Sequence, residues 1–369
     1  MSKKSPPARC TPSLNALQLA AALAVILVCA VDCRAAPHAP SEEIPEPVHS
    51  VPIPPRSEIR IENPYAAVDW SRSRQHRANL HTHSRNSDGL HSPARVIDLY
   101  REASYAILAI SDHNHVTWPW TEYNRDPEKL GMLAVQANEI SDTHHIGSYF
   151  CDYDINGRTY RPIIGAIGQP RLDISEEEVF AGIGEKDGLA VFFHPGRYDY
   201  PAQWYVEFYQ RFDHVVGLEV VNQRDRYPQD RALWDTILSA MMPQRPVWGF
   251  SNDDFHRMRD FGHAYNVFPL AEFSEHALRT AMENGSFYFS NGAAAPVIDE
   301  VIVDNEAGMI TVAGRKHDTI TWISEGRHVQ RGSTLAYRET PAIRSYLRAE
   351  LHGPGGITYT NPFTVLETR

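Results

Sequence analysis

The stretch Ala78–Ser92, ANLHTHSRNSDGLHS, sets His81 and His83 one residue apart at the end of a short apolar run. Side chains alternate along extended backbone, so these two imidazoles share a face. Asp88 follows on the loop beyond, next to Gly89. A strand has no structural need for two converging imidazoles and a carboxylate. A divalent cation does.

Further groups of the same chemistry recur along the chain. ISDHNH offers Asp112, His113 and His115; ANEIS offers Glu139; THHIGSYF offers His144 and His145. FFHPGRY contributes His194 and Arg197, and SNDDFH contributes Asp253, Asp254 and His256. Each closes an apolar stretch. Brought to one mouth, such groups are costly to leave unpaired, and metal ions are the natural compensation. On an extended segment Asp254 and His256 share a face while Asp253 points away.

The elements that must position these residues alternate strand and helix between about residues 76 and 290. RANLHTH, YAILAISDHNH, MLAVQANEIS, GLAVFFHPGRY, HVVGLEVVNQ and RPVWGFSNDDFH read as strands. SPARVIDLYREAS reads as a helix with Ser92 as N-cap, Pro93 in its first turn, and Val96, Leu99, Tyr100 and Ala103 inward. DRALWDTILSAMM turns Leu233, Trp234, Ile237, Leu238 and Met241 inward, and SEHALRTAMENG is capped by Ser274 and stopped by Gly285. Near-continuous apolar strands with covering helices imply a parallel sheet. The reactive side chains all fall at strand C-termini, the face where barrel enzymes build their sites, so an irregular (β/α) barrel is expected. No glycine-rich phosphate loop of standard spacing is present.

After about Asn291 the texture becomes short β segments broken by Gly, Asn and Pro: VIDEVIVD, GMITVAG, TITWISEG, AIRSYLRAEL and NPFTVLE. In IRSYLRAEL, Ile343, Leu347, Ala349 and Leu351 alternate with Arg344, Arg348 and Glu350, which predicts one wet face. A small antiparallel β-sandwich over 291–369 is expected beside a barrel over 58–290.

Lys3, Lys4 and Arg9 precede the apolar run Leu17–Val31, with small residues at Ala35 and Ala36. That is the pattern of a secretory signal, and the run is short for a bilayer span of roughly 20 residues. Residues 1–35 are therefore read as a signal peptide and 36–57 as a proline-rich linker, giving an exported protein, periplasmic or secreted, with no membrane span after cleavage. Only Cys151 then survives of the four cysteines, and it reads as a small buried hydrophobe. A net charge of −11 argues against general nucleic-acid binding. It leaves room for a small anionic substrate, because bound cations reverse the local sign. Oligomeric state is not legible.

HTHSRNSDG, AISDHN, NEIS with HHIG, FFHPGRY and NDDFH resemble, in order, the motifs of the PHP (polymerase and histidinol phosphatase) superfamily over roughly residues 76–290. The subgroup that includes carbamate hydrolases resembles the chain most, its tail being β-rich as well. The resemblance implies a distorted seven-stranded (β/α)7 TIM-like barrel holding three divalent ions, Zn, Mn or Fe. By position it implies one metal on His81, His83, Glu139 and Asp254, and a second on Asp88, His113 and His194. A third would take His145 and His256, with Glu139 as bridge. His145 is preferred to His144 because the family's histidine directly precedes the apolar strand.

Such ions lower the pKa of a bridging water and clamp phosphoryl oxygens. The expected function is thus a metal-dependent phosphoesterase acting on a small organic phosphate mono- or diester. Hydrolysis of a carbamate, ester or amide at the same site, or a non-catalytic metal-supported binding role, is the alternative. Arg197 is expected to hold a phosphate oxygen and His115 to protonate a leaving group. Arg85 is a second candidate for phosphate, Asp112 for orienting a liganding histidine, and Trp118 and Trp120 for an aromatic substrate wall.

Overall fold

The computed structural model describes residues 59–141, 144–155 and 174–367, so the proposed signal peptide and linker lie outside the described residues. Among the described residues no helix is long and apolar enough to cross a membrane.

Every apolar stretch read as a strand forms one, but MLAVQANEIS is divided at Gln136. Leu133–Val135 pairs parallel with Ile107–Ala109, which pairs parallel with Arg74–Asn79. Ala137–Ile140 instead begins a second sheet by pairing antiparallel with Ile146–Tyr149. The short link between those two strands allows only a hairpin, because a parallel return needs a crossover of about a dozen residues. Ile146–Tyr149 then pairs antiparallel with Leu189–Phe192, and Val215–Asn222 and Trp248–Asn252 complete that sheet in parallel.

Two single-residue bridges link these sheets, Thr82 with Phe255 and His113 with Glu139. Both lie at the ends of the core strands, where the ligand-type residues are. The fold is therefore mixed α/β with several sheets, and a continuous closed barrel is not formed among the described residues. The expected alternation is parallel only in parts: Ala137–Ile140, Ile146–Tyr149 and Leu189–Phe192 are antiparallel neighbours.

The helices follow their local signals. Ser92 accepts a hydrogen bond from Arg95 N ahead of Pro93–Glu102, which buries Val96, Ile97, Leu99 and Tyr100. Ser274 caps Glu275–Asn284, and Gly285 ends it at φ +69°, a left-handed conformation that favours glycine. Helix Asp230–Met241 buries Trp234, Ile237, Leu238 and Met241 against the sheet.

The C-terminal strands do not stand apart as a sandwich. Gly356–Thr360 pairs with Tyr288–Asn291, so the C-terminal strands continue the sheet that contains Arg74–Asn79. Ile59–Glu62 pairs with Phe363–Glu367, so the start of the described chain closes on its end. A separate three-stranded sheet is formed by Val297–Asp304, Met309–Arg315 and Thr334–Ala336. The face of Tyr346–Gly353 expected to be wet is covered. Arg348 and Glu350 are 2% and 8% exposed, and Arg348 donates to both oxygens of Asp235 at 2.7 Å and to Glu350 at 2.6 Å. Alternation could not reveal this, because the partner carboxylate comes from a helix more than a hundred residues away.

Candidate metal centre

Thr82 fixes the HTH segment. Its hydroxyl donates to the Ala109 carbonyl at 2.6 Å and its N–H to the Ser111 hydroxyl at 3.0 Å, while His81 and His83 turn to the other face. His81 and His83 are fully buried, with their Nε2 atoms 3.1 Å apart. Both face Glu139, at 3.2 and 3.1 Å, and Asp254, at 3.4 and 3.2 Å. Gly89 lets the following loop fold back, since a Cβ there would lie 2.5 Å from the His83 carbonyl oxygen.

The remaining ligand-type residues arrive at the same place. Asp88 lies 3.6 Å from His113 and 3.2 Å from His256. Glu139 lies 2.6 Å from His145, 3.2 Å from His194 and 3.0 Å from His113. Four groups of atoms can each hold an ion: His83, Asp88, His113 and His256; His81, His83 and Glu139; His81, His194 and Asp254; and His113, Glu139 and His145. Together they contain all nine residues singled out above: His81, His83, Asp88, His113, Glu139, His145, His194, Asp254 and His256. The grouping differs from that implied by the resemblance. His256, rather than His194, joins Asp88 and His113, while His194 and His145 both face Glu139. The backbone ordering of ligands along the chain does not reveal which strand ends are neighbours across the mouth.

The chemistry of this donor set fits divalent cations. The His194 Nδ1 atom is buried without a hydrogen-bond partner among the described residues. Two imidazole Nε2 atoms at 3.1 Å cannot both donate to each other, but both can donate lone pairs to a shared ion. Burial disfavours a charged His81, yet the carboxylates of Glu219, Glu139 and Asp254 outweigh it and raise this imidazole well above its ordinary value. Burial likewise opposes the charge on His83, but hydrogen bonds to Asp254 and Glu139 push it up to about 10. Glu139, Asp254 and Asp88 are all driven down by the surrounding imidazoles despite their burial. His145 is pulled down to about 3 by burial, against the attraction of Glu139. In the metal-free protein, protons on His81 and His83 thus stand where a cation belongs.

Two of these residues occupy backbone conformations that L side chains seldom adopt, His194 at φ +29° and Asp254 at φ +44°. Such strain, of order 1–3 kcal/mol each, persists where the surroundings over-determine it, and it concentrates at functional sites.

Neighbouring candidates have other partners. Asp253 turns away to accept from Tyr100 and from the N–H groups of Gly262, His263 and Ala264. His144 is closed off, with Nδ1 on the His145 carbonyl at 2.9 Å and Nε2 on Tyr205 at 3.1 Å. The Asp112 carboxylate accepts from Ser84, Ser87 and Thr117 and so ties down the loop after His83. Arg85 donates to the Leu90 carbonyl. Trp120 is buried in the core and Trp118 packs against it, so the expected aromatic wall is not formed by them. The ligand cavity, about 270 Å³, is lined by Ser141, Arg197 and Arg226 besides Asp88, His113, Glu139, His145, His194, Asp254 and His256. His115 does not line it.

Glu219 was not singled out in the sequence. It is fully buried, accepts from His81 Nδ1 at 2.8 Å, and accepts the His194 N–H at 2.9 Å. Its signal was a lone carboxylate inside the otherwise apolar strand Val215–Asn222. Arg226 was also passed over, lying in a polar loop without a motif.

No family model matches the chain, and no curated protein matches it. Among solved structures, similarity is found to a two-domain protein of Bacteroides vulgatus whose name includes a predicted PHP-like metal-dependent phosphoesterase. The identity is 15%, the TM-score 0.49, and the match covers 84% of this chain and 90% of that one. A Bifidobacterium adolescentis protein named as a metal-dependent phosphoesterase matches at 18% identity and TM-score 0.38, over 49% of this chain and 87% of that one. An amidohydrolase of Chromobacterium violaceum, holding sulfate and no metal, matches at 20% identity and TM-score 0.37, over 48% of this chain and 87% of that one.

Proposed function

We propose that this protein is a metal-dependent hydrolase of the PHP type, acting as a phosphoesterase on a small organic phosphate. The observation that carries the proposal is the convergence of nine imidazole and carboxylate side chains, seven of which line one small cavity with two arginines at its wall. The donor set suits Zn²⁺, Mn²⁺ or Fe²⁺. Divalent ions held there would make water nucleophilic near neutral pH and neutralise the phosphoryl oxygens.

The chain's own residues supply the rest. Arg197 and Arg226 line the cavity and hold non-bridging phosphate oxygens by charge-assisted hydrogen bonds. Glu219 fixes His81 in the tautomer that leaves its Nε2 lone pair on the side of His83, Glu139 and Asp254. Tyr198 accepts the His145 N–H at 3.1 Å and steadies that strand end. A water oxygen bonds to phosphorus as the ester P–O bond breaks, and the departing oxygen takes a proton from solvent. The polar lining and the absence of Trp118 and Trp120 from it favour a phosphoryl group over an apolar carbamate.

Residues 1–35 are proposed to direct export, with three ions per chain at the site. The test is metal analysis of the purified protein, with p-nitrophenyl phosphate, its bis-diester and a naphthyl carbamate assayed side by side. Bound metal and phosphate ester turnover that His83→Ala abolishes are expected. Metal with carbamate turnover alone would replace the phosphoesterase reading, and a metal-free, inert protein would remove it.

A further inference from the structure

Next to the ligand cavity lies a second, larger one of about 650 Å³, lined by Arg224, Arg226, Arg257 and Arg259 together with Leu90, Gln223 and Asp260. Both cavities share Asp88, Arg226 and His256, so the second adjoins the first. Its size falls within the range of small-molecule sites.

The charge of this cavity runs against that of the chain. In a protein of net charge −11, four arginines line this cavity, and the one carboxylate of its lining that is not a candidate metal ligand is Asp260. Asp260 lies 3.4 Å from Arg259 and 3.9 Å from Arg257, and its Oδ2 atom also accepts the Arg257 N–H at 3.2 Å. Asp225, between Arg224 and Arg226, is engaged elsewhere by both terminal nitrogens of Arg231, at 2.6 and 3.0 Å. Arg224 and Arg226 form no ion pair among the described residues.

These arginines stand on anchored backbone. Gln223 Nε2 donates to the Asp254 carboxylate at 3.2 Å and to its carbonyl at 3.3 Å. Arg257 directly follows His256, whose backbone carbonyl accepts the Leu90 N–H at 2.9 Å. The two arginine-bearing loops are thereby tied to the ligand residues themselves. A cleft lined by one sign of charge concentrates counter-charged solutes. Guanidinium forks match phosphate oxygens bidentately.

We infer that this second cavity is a subsite for a further phosphate group on the leaving-group side of the substrate, so that the enzyme acts on compounds bearing two phosphoryl groups. The inference rests on the phosphoesterase reading for its chemistry, but the binding subsite can be tested without turnover.

The probes are alkane-α,ω-bisphosphonates with two to six methylenes and the matching monophosphonates, titrated calorimetrically into metal-loaded protein expressed from the full chain. At one spacer length the bisphosphonate should bind about tenfold more tightly than its monophosphonate, the worth of one added charge-assisted hydrogen bond. In Arg224→Gln/Arg257→Gln that ratio should fall towards one. A ratio near one at every spacer length overturns the subsite, as does a ratio unchanged in the double variant or failure of both probes to bind. Parallel assays of phenyl phosphate and 4-(phosphonomethyl)phenyl phosphate separate the two readings. Turnover without preference for the second compound leaves the phosphoesterase and removes the subsite. The expected binding ratio without turnover leaves the subsite and removes the phosphoesterase.

Discussion

Glu219 and His81 form a buried pair in which the carboxylate accepts from Nδ1 at 2.8 Å, leaving Nε2 to face His83, Glu139 and Asp254. The other oxygen of Glu219 accepts the His194 N–H at 2.9 Å, so one carboxylate orients two candidate ligands from different strands. Asn252 and Asn222 also donate to it, at 2.8 and 3.1 Å. Glu219→Gln keeps the shape but can present an amide N–H to His81 and permits the other tautomer. Loss of such an outer partner costs about 10–100-fold in metal affinity. Competition with a chromophoric chelator should show that weakening, and unchanged affinity would mean Glu219 serves the fold alone.

His144 and His145 are neighbours with opposite environments. His145 faces Glu139 at 2.6 Å, whereas both nitrogens of His144 are occupied and its ring stacks on Tyr198 at 4.2 Å. His145→Ala should lower the metal content and the phosphate ester turnover. His144→Ala should retain the metal and lose stability, by about 1–3 kcal/mol for the buried groups left unpaired. Metal analysis and urea denaturation of both variants decide it; the reverse pattern would exchange their roles.

Much of this site was legible because its residues end apolar strands and have no other use there. His81 and His83 were marked by their spacing, and Asp254 and His256 by a shared face. What alternation and spacing do not carry is contact across the mouth. The grouping of Asp88 with His256, the engagement of Asp112 by a loop, and the roles of Glu219 and Arg226 all depend on which strand ends are adjacent. The fold was legible to the same depth. Strand stretches were recognisable from apolar runs, but the break at Gln136 and the antiparallel hairpin after Ile140 follow from how short the connections are. The covered face at Arg348 was hidden because a charged residue in an alternating strand reads as wet until its partner is known.

The elevated imidazoles give the metal site a direction with pH. His83 rises from 6.5 to about 10 in the metal-free protein, where hydrogen bonds to Asp254 and Glu139 overcome its burial. Its folded pKa is raised, so the stability it contributes is full below about 6.5 and is lost as pH rises through 10. Metal must displace that proton. Apparent affinity should therefore strengthen as pH increases from 6 to 9, with proton release on loading. Calorimetry in buffers of different ionisation enthalpy measures the protons directly, and release of none would contradict the protonated state.

Arg348 supports the junction between helix Asp230–Met241 and strand Tyr346–Gly353. Its guanidinium is buried, paired with Asp235 through two hydrogen bonds and with Glu350 through a third. Tyr346 adds its hydroxyl to Asp235 at 2.7 Å, so the cluster is closed on several sides. Arg348→Ala leaves two carboxylates buried beside an empty space, and breaking a buried pair in this way costs about 3–5 kcal/mol. Replacing Arg348 and Asp235 together by methionine and leucine removes the pair as well as the orphaned Asp235 charge, and should cost less than the single change. Urea midpoints of the single and double variants provide the comparison. A double variant as unstable as Arg348→Ala would mean that the pair itself, rather than the cost of an unpaired buried carboxylate, holds this junction.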